Sequence, residues 1–277
     1  VCSIVSSLQN ASSSELPTQT APCRSIMTAS CCCSARPTSS ARADVPVVAY
    51  QFNPLDGETS QSSDAALLLP VPSWDYVHFI LGYGGYQPYI NIVAAVDGTV
   101  VEVTPQAPTL EGEGLPAGNP GEPFVVLLDE GDFAQIPSST TVAGTRVVTD
   151  EDHPVGVFTG IPCGFTGKGA CDHMEEMMMG VRLWGQSFVA ARMPVRLPSN
   201  PERVIWQVAA SEDDTTVTFE AHEDVSGLPD APLALNAGEV AQFGATGTES
   251  NPGDFRVEAD KPIAMMSYMI GINDWEG

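Results

Sequence analysis

Two cysteines and the acidic run behind them are where this sequence comes nearest to chemistry. Cys163 and Cys171 lie at the ends of CGFTGKGAC, and glycine gives such a loop the freedom to bring two sulfurs to bonding distance. A disulfide is the expected outcome, and it implies an oxidising compartment. Asp172, His173, Glu175 and Glu176 follow directly. A carboxylate beside an imidazole favours its charged form, so the set could hold a cation or act as an acid and base pair. The plainer role is structural, with the carboxylates accepting backbone N–H groups and bracing a junction. Asp172, His173 and Glu176 form the candidate binding patch. A metal site of Cys163, Cys171 and His173 lacks a fourth ligand at suitable spacing, so no metal is expected there.

Other candidates are weaker. Asp129 and Asp132, the run Asp150-Glu151-Asp152, and Asp213 with Asp214 all fall at expected turns. Calcium takes several oxygen ligands, so Asp129, Asp132, Asp213 and Asp214 are the loops that would suit it. Aspartate is common at turns for conformational reasons alone, and none of these runs has the twelve-residue helix-loop-helix pattern. No other cofactor is expected. Gly167-Lys168-Gly169 lacks the first glycine and the closing Ser or Thr of a phosphate loop, and neither Gly-x-Ser-x-Gly nor His-Glu-x-x-His occurs. His78, His153 and His222 stand alone. The run GYGGYQPY offers aromatic faces to a sugar or peptide, or packs on its own rings as a strand-end loop. The methionines of MEEMMM fill a core or junction, or make an adaptable surface. With 35 acidic and 11 basic residues, the formal charge of −24 repels a phosphate backbone, which argues against nucleic acid as a partner. No apolar run approaches the roughly 18 residues of a membrane span.

The elements that must position these groups are strands. Asp44-Val45-Pro46 leads into VVAYQF, Asp152-His153-Pro154 into VGVFTG, and Asp260-Lys261-Pro262 into IAMMSYM, at a spacing of 108 residues each time. In the same order, Val93-Ala94-Ala95 and Asp97-Gly98-Thr99 match Val208-Ala209-Ala210 and Asp213-Asp214-Thr215, while FVVLLDEGDFAQI matches LALNAGEVAQF around Gly131 and Gly238. Trp74 matches Trp184. One unit holds about seven strand candidates: WGQSFVAARMP, VIWQVAAS, TTVTFEA, PLALNAG, EVAQFG, FRVEAD and PIAMMSYM. TVVEV and TVTFE alternate as half-exposed strands do, whereas VVAYQF and IAMMSYM are apolar throughout and suit a strand buried on both faces. This predicts an all-β fold of tandem immunoglobulin-like β-sandwich repeats of about 108 residues, the alternative being a propeller of four-stranded blades. The expected division is a first module over 42–158 and a second over 159–277 that ends with the start of a further strand set. Residues 1–41, rich in Ser, Thr, Ala and Cys without strand or helix period, read as a disordered segment or as a stretch translated out of frame.

The ordered set VPVVAYQFNPL, SSDAALLLP, VDGTVVEVTP, FVVLLDEGDFAQI and GTRVVTDEDHPVGVFTG resembles the IgGFc-binding protein N-terminal domain family. Cys163, CDHMEE from Cys171, Trp184-Gly185, VAASEDDTTVTF, LNAGEVAQF and ADKPIAMMSYMIG continue the likeness to about Ile272. MMMG at Met177 to Gly180 and the first 41 residues depart from it. The resemblance implies a secreted or cell-surface adhesion module, a bacterial-type member being expected, that is not an enzyme. Its loops would recognise a protein or glycan, immunoglobulin Fc or a mucin-like chain among them. The rival expectations are a hydrolase of extracellular polymers using Asp172, Glu176 or the acidic loops, and a purely structural spacer.

Overall fold

The computed structural model describes residues 3–5, 40–53, 62–112, 114–167 and 169–271. The expectation for 1–41 therefore lies almost wholly outside the described residues, as do Cys2, Cys23, Cys31, Cys32 and Cys33. The regular structure of the described residues is nearly all strand, joined by antiparallel pairing. No helix among the described residues is long and apolar enough to cross a membrane.

β1 (Ser3–Val5), β2 (Ala49–Asn53) and β3 (Asp64–Leu68) form a small sheet in that order. There follow β4 (Val77–Phe79), β5 (Tyr89–Ala94), β6 (Thr99–Thr104), β7 (Phe124–Leu128), β8 (Phe133–Pro137), β9 (Arg146–Val148), β10 (Val155–Gly164) and β11 (Asp172–Met178). One sheet runs β4-β9-β6-β7 and the other β11-β10-β5-β8. Both turn alternate residues inward, as the strict alternation of β5 and β6 shows, and Ile90, Ile92, Val101, Val103, Ile136, Val147 and Val157 meet in one core. The rest of the chain supplies β12 (Gly185–Ala190), β13 (Val204–Ala210), β14 (Thr215–Ala221), β15 (Leu233–Leu235), β16 (Val240–Ala245) and β17 (Phe255–Met269), which enclose a second core around Trp206, Val208, Val217 and Val257.

The sandwich reading holds, with one exchange of edge strands. In the immunoglobulin order the first strand pairs with the second and the seventh with the sixth. Here β4 pairs with β9, and β10 crosses to pair with β5. β17 does both jobs for the second core: its first half pairs with β12 and β14, as β9 does with β4 and β6, and its second half pairs with β13, as β10 does with β5. FRVEAD and PIAMMSYM, expected as two strands, are thus one. Pro262 is tolerated because it sits where the pairing changes partner, at a register shift, where no ladder N–H is required.

The turns recur bond for bond. Gly98 N donates to Asp129 Oδ1 and Glu130 N to Asp97 Oδ1, both at 2.9 Å. In the second core Asp214 N donates to Asn236 Oδ1 at 3.3 Å and Ala237 N to Asp213 Oδ1 at 3.0 Å. Gly98 has φ +69°, and Asp214 takes the same left-handed conformation at φ +54°, which aspartate tolerates better than most side chains. The backbone corrects the sequence match by one residue. Gly131 N donates to Ala94 O and Gly238 N to Ala210 O, so the partner of Ala94 is Ala210 and not Ala209. A slip of one residue would turn the strand inside out, which is why the turn and not the Val-Ala-Ala string fixes the register.

The expectation that VVAYQF is buried on both faces fails: Val47 is 50% and Val48 57% exposed, and Tyr50 and Phe52 are also exposed, because among the described residues only β1 and β3 flank this strand.

Between the two cores, Asp75 is buried with Oδ1 accepting Tyr76 N at 2.8 Å and Oδ2 accepting Arg182 N at 2.9 Å. Arg182 also donates to the carbonyls of Pro72 and Trp74. Replacing Asp75 with Ala takes the acceptor from both N–H groups and is expected to lower the unfolding free energy by about 3 kcal/mol in urea titration, since each unsatisfied buried donor costs roughly 1–3 kcal/mol. Gly180→Ala destabilises at the same place, its Cβ falling 2.0 Å from the Asp75 Cβ.

Candidate functional site

The β10–β11 hairpin carries the residues that the sequence singles out. Its strands pair from Val157 with Met178 to Ile161 with Met174, then shift register before Gly164. Beyond the shift, Cys163 and Cys171 form the expected disulfide, with Cα atoms 5.0 Å apart. Two glycines in β10 are required by close approach: a Cβ on Gly156 would lie 2.8 Å from the Trp74 ring, and one on Gly160 2.5 Å from Tyr89. The loop after β10 is held by Tyr83, whose hydroxyl donates to Phe165 O at 2.9 Å while its ring packs on Tyr268 at 5.1 Å. GYGGYQPY therefore packs partly on the second half of the chain, and Tyr86 stays exposed.

CDHMEE is a strand, and a strand sends neighbours to opposite faces. Asp172 and Glu176 take one face, His173 and Glu175 the other, so the structure does not gather Asp172, His173 and Glu176 into one patch. Glu175 is buried in the seam between this hairpin and the β2–β3 hairpin. Its Oε1 accepts from Gln51 Nε2 at 3.1 Å and its Oε2 from Asn53 Nδ2 at 3.0 Å, while Asp64 Oδ2 accepts Glu175 N at 2.8 Å. Ser62 Oγ accepts His173 N, and His173 Nε2 lies 3.6 Å from Glu175 Oε2. These polar groups join hairpin to hairpin.

Glu176 points the other way. Burial pushes its carboxyl up to about 7 against the lowering effect of the Met177 N–H, and the charges of Asp64 and Glu175 push further in the same direction. Tyr268, nearby, is held protonated chiefly by burial. His78 is buried, and desolvation lowers it to about 4 despite Asp75, so it is neutral. His153 Nδ1 pairs with Asp150 Oδ1 at 2.7 Å and His222 lies on the surface beside Asp224.

The acidic loops brace turns. Asp129 Oδ1, Asp132 Oδ2, Asp97 Oδ1 and Asp213 Oδ1 each accept a backbone N–H. No group of three or more His, Cys, Asp or Glu among the described residues is placed to hold a metal ion. A hollow between the two halves is lined by Tyr83, Thr141, Phe165, Gln207 and Gln242 with no carboxylate in its wall.

Sequence reasoning passed over the outer face of β6 and β7. Val100 is 47%, Val125 56% and Leu127 74% exposed, side by side because Val100 pairs with Leu127 and Glu102 with Val125. Arg146 lies 3.7 Å from Glu102 at the margin. The signal was available: FVVLL is apolar at both parities, so one set of its side chains must face outward. In the second core the matching register, Thr99 with Leu128 against Thr215 with Leu235, puts Thr216, Pro232 and Ala234 in those places.

The family model described as IgGFc binding protein matches residues 64–276. No curated protein and no solved structure matches the chain.

Two outcomes follow from the hairpin. Replacing Cys163 and Cys171 together with Ser is expected to lower stability by about 2.5 kcal/mol, the loop-closure value for a ring of this size, read as a lower denaturant midpoint. Glu176 holds its proton more tightly folded than unfolded, where its ordinary value is 4.5. Stability therefore falls as pH rises from about 4.5 to about 7 and is level above that. Glu176→Gln should flatten that window and leave the protein more stable than wild type at pH 8, as thermal melts across pH 4–8 would show.

Proposed function

Because the chain belongs to the IgGFc binding protein family, we propose that it is a non-enzymatic extracellular module, secreted or displayed at a cell surface, that recognises a protein partner, the Fc part of immunoglobulin G. The observation that carries this reading is the apolar face of Val100, Val125 and Leu127, with the Glu102–Arg146 pair at its margin. Exposed apolar clusters rimmed by polar groups mark protein contacts. A partner that brings an apolar centre and cationic margin suits this face, given a net charge of −24. The carboxylates in the acidic turns are engaged with backbone N–H groups, which favours binding over acid–base chemistry. The bond-for-bond recurrence supports a tandem of two modules, 42–158 and 159–277. Residue 158 lies within β10, so the modules share a continuous strand.

The test is capture of the 277-residue chain on immobilised Fc, with mucin and bacterial polysaccharide as alternatives and a calcium chelator in parallel. Retention on Fc that survives the chelator supports the reading. Leu127→Asp should weaken it about tenfold or more, the scale of losing one buried Leu, with an unchanged circular dichroism spectrum. Retention only on polysaccharide, or none at micromolar concentration, overturns it.

A further inference from the structure

The first hairpin repeats the second, yet among the described residues its outer edge is largely uncovered. Ala49 pairs with Leu68 and Tyr50 with Leu67, as Val157 pairs with Met178 and Phe158 with Met177. Each hairpin ends in a 3-10 turn, Val71–Ser73 or Val181–Leu183, and then a Trp whose Nε1 donates to the carbonyl five residues back, Leu69 or Met179. The two copies differ on the remaining edge. Residues 155–160 pair with β5 over six residues, and Val155 and Val157 are fully buried. Their counterparts, residues 47–52, meet on this edge, among the described residues, β1 alone, which pairs Ser3 with Phe52, Ile4 with Gln51 and Val5 with Tyr50. This is the register in which Tyr89, Ile90 and Asn91 meet Gly160, Thr159 and Phe158. β1 thus stands in the place of a β5-type strand for three residues, and Val45, Val47 and Val48 remain about half exposed. The third copy of the element, residues 263–269 of β17, also has a full partner in β13.

We propose that residues 45–52 are a docking edge for the second strand of a neighbouring β-module of this same kind, so that the β2–β3 hairpin closes the neighbour's sandwich as β10 and β11 close the first one. The occupant follows from the repeat: two copies of this strand each complete a sandwich by pairing with a β5-type strand, and the first copy presents the same edge, in the same register, with apolar side chains in solvent. An unpaired strand edge flanked by exposed valines recruits a strand through its backbone hydrogen bonds, with side-chain pockets setting register.

The probe is a fluorescein-labelled peptide of residues 88–96, titrated into the 277-residue chain. The expected result is saturable binding by about 100 µM, the range for a single added strand, with hydrogen-exchange protection gained at residues 46–52. Val5→Pro, which removes a ladder donor of β1 opposite Tyr50, should free the place and tighten binding at least about threefold. Val48→Pro lies outside β2 and removes one edge donor at the counterpart of Gly156; it should weaken binding about tenfold while leaving the β-sheet spectrum intact. No binding to either the parent chain or the Val5→Pro variant overturns the proposal, as does protection that appears elsewhere or equal binding to the Val48→Pro variant. Fc capture is scored separately through Leu127, on a different sheet, so the two readings fail independently.

Discussion

The architecture depends on a strand that is hydrogen-bonded on both edges and buried on both faces. β10 gives one edge to β5 and the other to β11, and Val155, Val157 and Ile161 are fully buried. A strand in that position can carry almost no polar side chain, so it must be an apolar run, and it must thin to glycine where rings cross it. Gly156 under Trp74 and Gly160 under Tyr89 meet that requirement. Because the same strand closes the first sandwich and opens the hairpin with the disulfide and the Glu175 seam, the hairpin's polar residues are placed at the boundary between two cores. β17 repeats the solution without a break, which ties the second core to its own closing strand through one continuous backbone.

The charge imbalance is handled by two local devices. At turns, aspartates accept backbone N–H groups, so negative charge is held where the chain has donors to offer. Inside, two arginines converge on one carboxylate. Arg192 and Arg196 reach the buried Glu202, at 3.6 and 3.0 Å, and also donate to the carbonyls of Pro252 and Ile270. Burial alone would raise the Glu202 carboxyl, but its backbone hydrogen bonds and the two guanidiniums outweigh that and lower it. Such a network is worth more as a fixed geometry than as net stability, because both signs of charge have been taken out of water.

Strand positions, the turns at Gly98 and Gly131, the disulfide and the family were legible in the sequence because each rests on local chemistry: period-two alternation, left-handed turn residues, and two cysteines a short loop apart. Partner choice was not. Nothing in β4 or β10 states that they exchange edges, since an apolar strand reads the same beside β5 as beside β9. Pro262 looked like a break because the rule against proline applies to ladder positions, and only coordinates show that this one falls between two ladders. VVAYQF looked buried because apolarity on both faces reports what a strand can tolerate, while its burial depends on a neighbour. CDHMEE looked like a cluster because adjacency in sequence was taken as adjacency in space, which a strand denies.

The difference between the two copies is itself informative about function. Equivalent positions that serve the fold kept their chemistry: Asp97 and Asp213 hold the same N–H, Trp74 and Trp184 the same carbonyl. On the outer sheet face they diverged, with Val100 and Leu127 standing where the second core has Thr216 and Ala234. An exposed Val and Leu contribute little to folding and raise the hazard of aggregation, so a fold-stability argument accounts for Thr and Ala there and not for Val and Leu. The asymmetry is accounted for when the first face is covered by a partner and the second stays in water.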